Sequence, residues 1–150
     1  MTPEIAINFR AATLSDQKIL FDWRNDQQTR LQSLNQDFVT WESHQDWFDK
    51  SLKTETRQIF IAVDQGRSVG MIRWDQKNKA RELSWLIGSE FRGHGYGNKM
   101  LKQFIQMFPF QYEAKVRVSN QASLKMALNA GFRLRLEKDD IYYLTLAGPL

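Results

Sequence analysis

The stretch Glu90-Phe91-Arg92-Gly93-His94-Gly95-Tyr96-Gly97-Asn98 decides how the rest of the chain is read. The β-rich residues 82–87 precede it, and Met100, Leu101, Phe104, Ile105 and Phe108 follow at helical spacing. A strand therefore runs into a glycine-rich turn that opens an amphipathic helix. Glycines let backbone N–H groups approach a ligand unobstructed, and the helix N-terminus adds partial positive charge. Such a turn suits a phosphate or pyrophosphate. The spacing is not G-x-G-x-x-G, because the third glycine falls two residues on, and no Gly-Lys-Ser/Thr follows to make a P-loop. The competing reading is a tight strand–helix turn that tolerates glycine.

Working outward from this turn, the period changes from 3.6 to 2 on the N-terminal side. Ile59-Phe60-Ile61-Ala62-Val63 reads as a strand, and Asp64-Gln65-Gly66-Arg67 is turn chemistry leading to a strand over 69–74. A polar turn at 76–79 leads to the strand at 82–87, which completes an antiparallel meander. Further upstream, Ile5, Ile7 and Phe9 alternate with other residues as a first strand. Ser15 is expected to cap a helix carrying Ile19, Leu20 and Trp23. Residues 25–37 are polar and ambiguous between helix and loop. Thr40 is expected to cap a second helix with Trp41, His44, Trp47, Phe48 and Leu52 on one side. Downstream come a strand over 112–118, a helix over 121–129 and Gly131 at a left-handed helix terminus. Two strands, 132–137 and 141–146, join through Lys138-Asp139-Asp140. The order β, α, α, β, β, β, α, β, α, β, β is an α+β plan with a single mixed, mostly antiparallel sheet flanked by helices.

A length of 150 residues fits one domain spanning 1–150, and 42% hydrophobic with 13% aromatic residues excludes disorder. The absence of cysteine removes disulfides, thiolate nucleophiles, iron–sulfur clusters and cysteine-ligated zinc. With His44 and His94 as the only histidines, an all-histidine metal site is excluded too, so no metal is expected. Twenty-one Lys and Arg against seventeen Asp and Glu give a net charge of +4, which favours anionic partners. No basic stripe interleaved with aromatics points to nucleic acid. No apolar run approaches the ~20 residues that span a bilayer. The opening Met1-Thr2-Pro3-Glu4 lacks the pattern of a signal peptide, so the expectation is a cytoplasmic protein with no membrane partner.

The sequence resembles the GNAT superfamily of acetyl-CoA-dependent N-acetyltransferases. Arg92-x-x-Gly95-x-Gly97 matches the family's R/Q-x-x-G-x-G/A signature, and Asn120-x-x-Ser123, followed by Gly131-Phe132, looks like its N-x-x-A/S…G-F segment. Trp23-Arg24-Asn25-Asp26, then Arg30 and His44-x-x-Trp47-Phe48, resemble the acetyltransferases of nucleotide-linked 4-amino sugars of the pseudaminic acid pathway type. Trp-Arg-Asn also occurs in branches acting on protein N-termini. The resemblance implies a splayed strand pair holding acetyl-CoA as co-substrate and a small-molecule amine acceptor, with a sugar nucleotide as the narrower form. It leaves open a homodimer, an acceptor such as a protein N-terminus or small amine, and a non-catalytic acyl-CoA sensor.

Residue roles follow from the resemblance. Leu86 and Ile87 would hold the acetyl-pantetheine arm by main chain. Arg92, Gly93, His94, Gly95, Tyr96, Gly97 and Asn98 would surround the pyrophosphate, Asn120 would bond the pantetheine or cap a helix, and Lys99, Lys102, Lys125 and Arg133 would meet the 3′-phosphate. Glu82, ten residues before Arg92, matches the family's general base, against a reading in which it pairs with Arg81 or Arg73. Many relatives carry a thiolate-protonating Tyr where this chain has Ala127, which leaves Tyr142, Tyr143 or water to supply that proton. Arg24, Asn25, Arg30 and His44 are the candidate acceptor ligands, and packing is the competing reading for His44. With no cysteine to carry an acyl group, transfer is expected to be direct, in a ternary complex.

Overall fold

The computed structural model describes residues 5–149; Met1-Thr2-Pro3-Glu4 and Leu150 lie outside the described residues. In chain order the elements are β1 (Asn8–Ala11), α1 (Gln17–Asn25), α2 (Gln27–Gln32), α3 (Trp41–Lys53), β2 (Arg57–Asp64), β3 (Arg67–Gln76) and β4 (Arg81–Ile87). They continue with α4 (Tyr96–Met107), β5 (Tyr112–Arg117), α5 (Gln121–Asn129), β6 (Arg133–Lys138) and β7 (Ile141–Leu146). All seven strands form one sheet in the order β1-β2-β3-β4-β5-β7-β6. Every pairing is antiparallel except β4 with β5. This is the mixed, mostly antiparallel α+β architecture expected, with the meander at β2, β3 and β4.

Strand alternation sorts the apolar residues onto two faces. Ile59 and Ile61 of β2 pack with Leu20, Trp23 and Phe48 beneath α1 and α3. On the other face, Ile72, Leu83, Ala114, Val116 and Leu144 pack with Leu101, Phe104 and Ala127 beneath α4 and α5. Thr40 caps α3 as expected, its hydroxyl accepting from the Ser43 N–H at 3.2 Å. Gly131 has φ +106°, in keeping with its place after α5.

Three local expectations are corrected. The first strand begins at Asn8, because the Ile7 N–H donates to Gln103 Oε1 at 3.0 Å instead of entering the ladder. Ser15 does not cap α1; it lies within the 3-10 turn Leu14–Asp16. The Asp16 carboxylate accepts from the Thr13 N–H at 2.8 Å and binds Arg10 in two hydrogen bonds. The ambiguous polar segment resolves into α2 and a loop, and none of the residues of α2 is buried.

Candidate active site

Parallel strands β4 and β5 pair only at Arg81–Tyr112 and Glu82–Glu113, and then diverge. The Arg81 N–H donates to Gln111 O across this boundary at 2.9 Å, while at the other end the Gly88 N–H donates to Val69 O beside β3. Main-chain groups alternate sides along a strand, so those of Trp85 and Ile87 face the gap and those of Leu86 face β3. A cavity of about 720 Å³ occupies this gap. It runs from the glycine turn across β4 and β5 to α2 and the loop after it.

The glycine turn forms one end. Gly95 sits at φ +83°, ψ +4° as the residue preceding α4, a left-handed conformation that disfavours any side chain. The first N–H groups of α4 have no intrahelical acceptor, so they are free for an anion. A Cβ on Gly97 would lie 2.6 Å from Met126 Sδ, so the second-signature helix packs directly on this turn. Trp85 lines the cavity and its indole N–H is buried without a partner. An anion-binding turn, unpaired strand amides and an orphaned N–H fit the diphosphate, amide and thioester groups of acetyl-CoA.

The wall opposite the sheet is polar. Arg24 lines the cavity and donates to Asn35 O at 2.9 Å, while its Nη1 is buried without an acceptor. Burial and the neighbouring Arg30 push its pKa down, against a smaller upward pull from Asp37. Arg73 is also lowered by burial, with Asp75 at 3.1 Å pulling the other way. Lys115 Nζ lies 3.1 Å from Glu82 Oε1, and that contact raises the lysine's pKa. Arg92 donates to Asp26 Oδ2 at 2.6 Å and Thr29 Oγ1 at 2.7 Å. Burial works to raise the Asp26 pKa, but these donors and the Thr29 N–H hold it low. The cavity lining thus carries Arg24, Arg73, Arg92 and Lys115 and, among the described residues, no carboxylate.

The structure gathers part of the expected set. Arg24, Leu86, Ile87, Arg92, Gly93, Gly95, Tyr96, Gly97, Asn98 and Asn120 line the cavity, but the main chain of Leu86 faces β3, so the main-chain contact expected of it is not available there. Within it, the Tyr96 phenol is turned away to donate to Asp64 at 2.6 Å, and Asn120 caps α5 by accepting from the Ser123 N–H at 3.2 Å. His94, Lys99, Lys102, Lys125 and Arg133 are exposed, and none of them lines the cavity. Asn25 holds the main chain of Val39 through both its amide atoms. Arg30 lies over the Phe38 ring at 5.8 Å. His44 is buried among Phe21, Trp47 and Phe48, and burial lowers its pKa.

Glu82 lies just outside the lining, engaged by Lys115 and, at 4.0 Å, by Lys77, rather than by Arg81 or Arg73. Tyr142 packs against the core under α5, and Tyr143 lies under Lys115 Nζ at 6.0 Å from its ring centre. Ala127 is fully buried in that core. Sequence reading missed Lys115 as a lining residue and Arg117 as the residue that holds the chain after α2. Their period-2 alternation with Ala114 and Val116 was the available signal, but the partner face is set by strand order.

No curated protein matches the chain in sequence. Among solved structures, a spermidine N-acetyltransferase from Vibrio cholerae in complex with CoA and spermine superposes with TM-score 0.81 at 14% identity, covering 93% of this chain and 94% of that one. The aminoglycoside acetyltransferase AAC(6')-Ib in complex with ribostamycin and coenzyme A gives 0.81 at 16% identity, with 94% and 93% covered. The Campylobacter jejuni N-acetyltransferase PseH gives 0.70 at 17% identity, with 93% and 96% covered. These likenesses concern the fold. The acetyltransferase (GNAT) domain model matches residues 7–133, from just before β1 into β6, and so takes in both the splayed strands and the glycine turn. The chain belongs to the GNAT acetyltransferase family.

Proposed function

We propose that the protein transfers the acetyl group of acetyl-CoA to a primary amine that also carries negative charge, with the 4-amino group of a nucleotide-linked deoxysugar as the specific candidate. The carrying observation is the cavity lining, which holds four cationic side chains and no carboxylate among the described residues. The similar structures named above hold spermine and ribostamycin, both polycations. Three of the four cationic side chains are paired just behind the lining, Arg73 with Asp75, Arg92 with Asp26 and Lys115 with Glu82. That leaves Arg24 as the lining cation without a carboxylate partner among the described residues, and so the one that attracts a phosphate or carboxylate. In this reading the α4 N-terminus takes the cofactor pyrophosphate, and Arg24, with an unpartnered buried Nη1, takes the acceptor's anionic group.

The main-chain N–H groups of Trp85 and Ile87 polarise the thioester carbonyl. The neutral amine attacks, the C–S bond breaks and the acceptor keeps the acetyl group. Glu82, just outside the lining and held by Lys115, receives the proton lost by the amine through water, and water or Tyr143 returns one to the thiolate. A chain without cysteine has no thiol to hold the acetyl group between steps, which favours direct transfer.

The test is a thiol-release screen with acetyl-CoA against UDP-linked 4-amino sugars, spermidine, an aminoglycoside and peptide N-termini. Release with the sugar nucleotide is expected, with Arg24→Gln raising its KM by about tenfold or more while the acetyl-CoA KM holds. Turnover of spermidine or the aminoglycoside at an equal or higher rate would overturn the anionic-acceptor reading. Binding of acetyl-CoA with no release from any amine would favour the sensor reading, in line with Ala127.

A further inference from the structure

Helix α2 is held in place without an apolar anchor. None of residues 27–40 is buried, and an isolated six-residue helix is marginal in water. Its order therefore rests on polar contacts, and these come from both arms of the open strand pair. At its N-terminal end, Arg92, just beyond β4, donates to Asp26 and Thr29, and to Gln28 Oε1 at 3.3 Å. At its C-terminal end, Arg117 of β5 donates from Nε to Ser33 O at 3.0 Å and from Nη2 to Leu34 O at 2.8 Å. Ser119 adds a hydrogen bond to Gln32 at 3.1 Å. The segment between these anchors contributes Gln28, Thr29, Gln32 and Ser33 to the cavity wall.

We infer that Arg117 is a positioning residue for the acceptor: it ties the C-terminal end of α2 to β5, so that the segment crosses the open strand pair as a strap that shapes the acceptor side and leaves the glycine turn untouched. The inference rests on the cavity being the acceptor site proposed above. A guanidinium suits the task because the carbonyls of Ser33 and Leu34, which follow the end of α2, accept no main-chain hydrogen bond among the described residues. Its planar fork bonds two successive carbonyls at once, which an ammonium cannot do with the same geometry. Arg117 touches neither the glycine turn nor the unpaired amides of Trp85 and Ile87, so loss of its side chain leaves the cofactor contacts in place.

The test uses Arg117→Ala and Arg117→Lys in the full chain, read in two ways. Amide hydrogen exchange over residues 30–36 is expected to accelerate by about tenfold in Arg117→Ala, while acetyl-CoA affinity by calorimetry stays within about twofold. With the acceptor found by the screen, its KM is expected to rise by about tenfold at nearly unchanged kcat, and Arg117→Lys to recover part of the loss. Unchanged exchange over 30–36, or acetyl-CoA affinity falling as far as acceptor affinity, would overturn the inference. The exchange and calorimetry readings need no acceptor, so a failed screen would count against the proposed function alone. Ser119→Ala, which removes a weaker contact at the same end, is expected to shift exchange in the same direction by less and guards against a misfolded Arg117 variant.

Discussion

His44 shows how a residue's surroundings decide which of two readings holds. It is 3% exposed, its ring lies 5.5 Å from Phe21, 5.6 Å from Trp47 and 6.0 Å from Phe48, and its Nδ1 has no partner. Burial first, and Arg24 second, hold its pKa below the ordinary 6.5. The unfolded chain therefore takes up a proton near that value while the folded chain resists it. The His44 contribution to stability is full above pH 6.5 and is lost as pH drops through 6.5 toward the lowered folded value, with a slope of at most about 1.4 kcal/mol per pH unit. Urea unfolding from pH 7.5 to 5 should show this loss, and His44→Phe should flatten it; an equal slope in the variant would assign the acid sensitivity elsewhere. The apolar spacing on α3 made the packed position of His44 legible in the sequence. The Glu82–Lys115 pair was not, because it spans two strands whose adjacency comes from the sheet order.

At the scale of elements, legibility followed burial. The meander, α4 and α5 bury one side each and so carry a readable period, whereas α2 buries nothing and left residues 25–37 ambiguous. Ser15 is not the cap, because the turn before α1 is closed by a carboxylate, Asp16, reaching back to the Thr13 N–H while bound to Arg10. The glycine turn was legible because its conformation demands the residue type. Gly95→Ala places a methyl in open space, yet at φ +83° it is expected to cost about 1 kcal/mol of stability. Gly66, at φ +77° and equally open, is the control at the β2–β3 turn. Both alanine variants should lose similar stability in chemical denaturation. Gly95→Ala alone should weaken acetyl-CoA binding, since it perturbs the start of α4; equal cofactor affinity in the two would separate the turn from cofactor binding.

For the molecule as a whole, the open strand pair raises a mechanical question: what keeps β4 and β5 at a fixed separation once their ladder stops. The answer lies under α4, where one cluster joins Ile72 and Leu83 from one arm to Tyr112, Ala114, Val116 and Leu144 from the other. Phe104 sits at its centre, fully buried, with ring centres 5.3 Å from Phe9 and Phe60, 4.9 Å from Phe108 and 6.3 Å from Tyr112. Phe48 is as deeply buried but belongs to the cluster under α1 and α3, away from the divergence. Truncating either to alanine should cost about 3–5 kcal/mol, or a fall in Tm of about 10 °C. Acetyl-CoA at a hundred times its Kd should return about 2.7 kcal/mol wherever its affinity is intact. Phe48→Ala should keep that full thermal gain. Phe104→Ala should show a reduced one, because the arms proposed to hold the pantetheine are no longer braced at their spacing. Equal gains in the two variants would mean that the brace lies elsewhere than under α4.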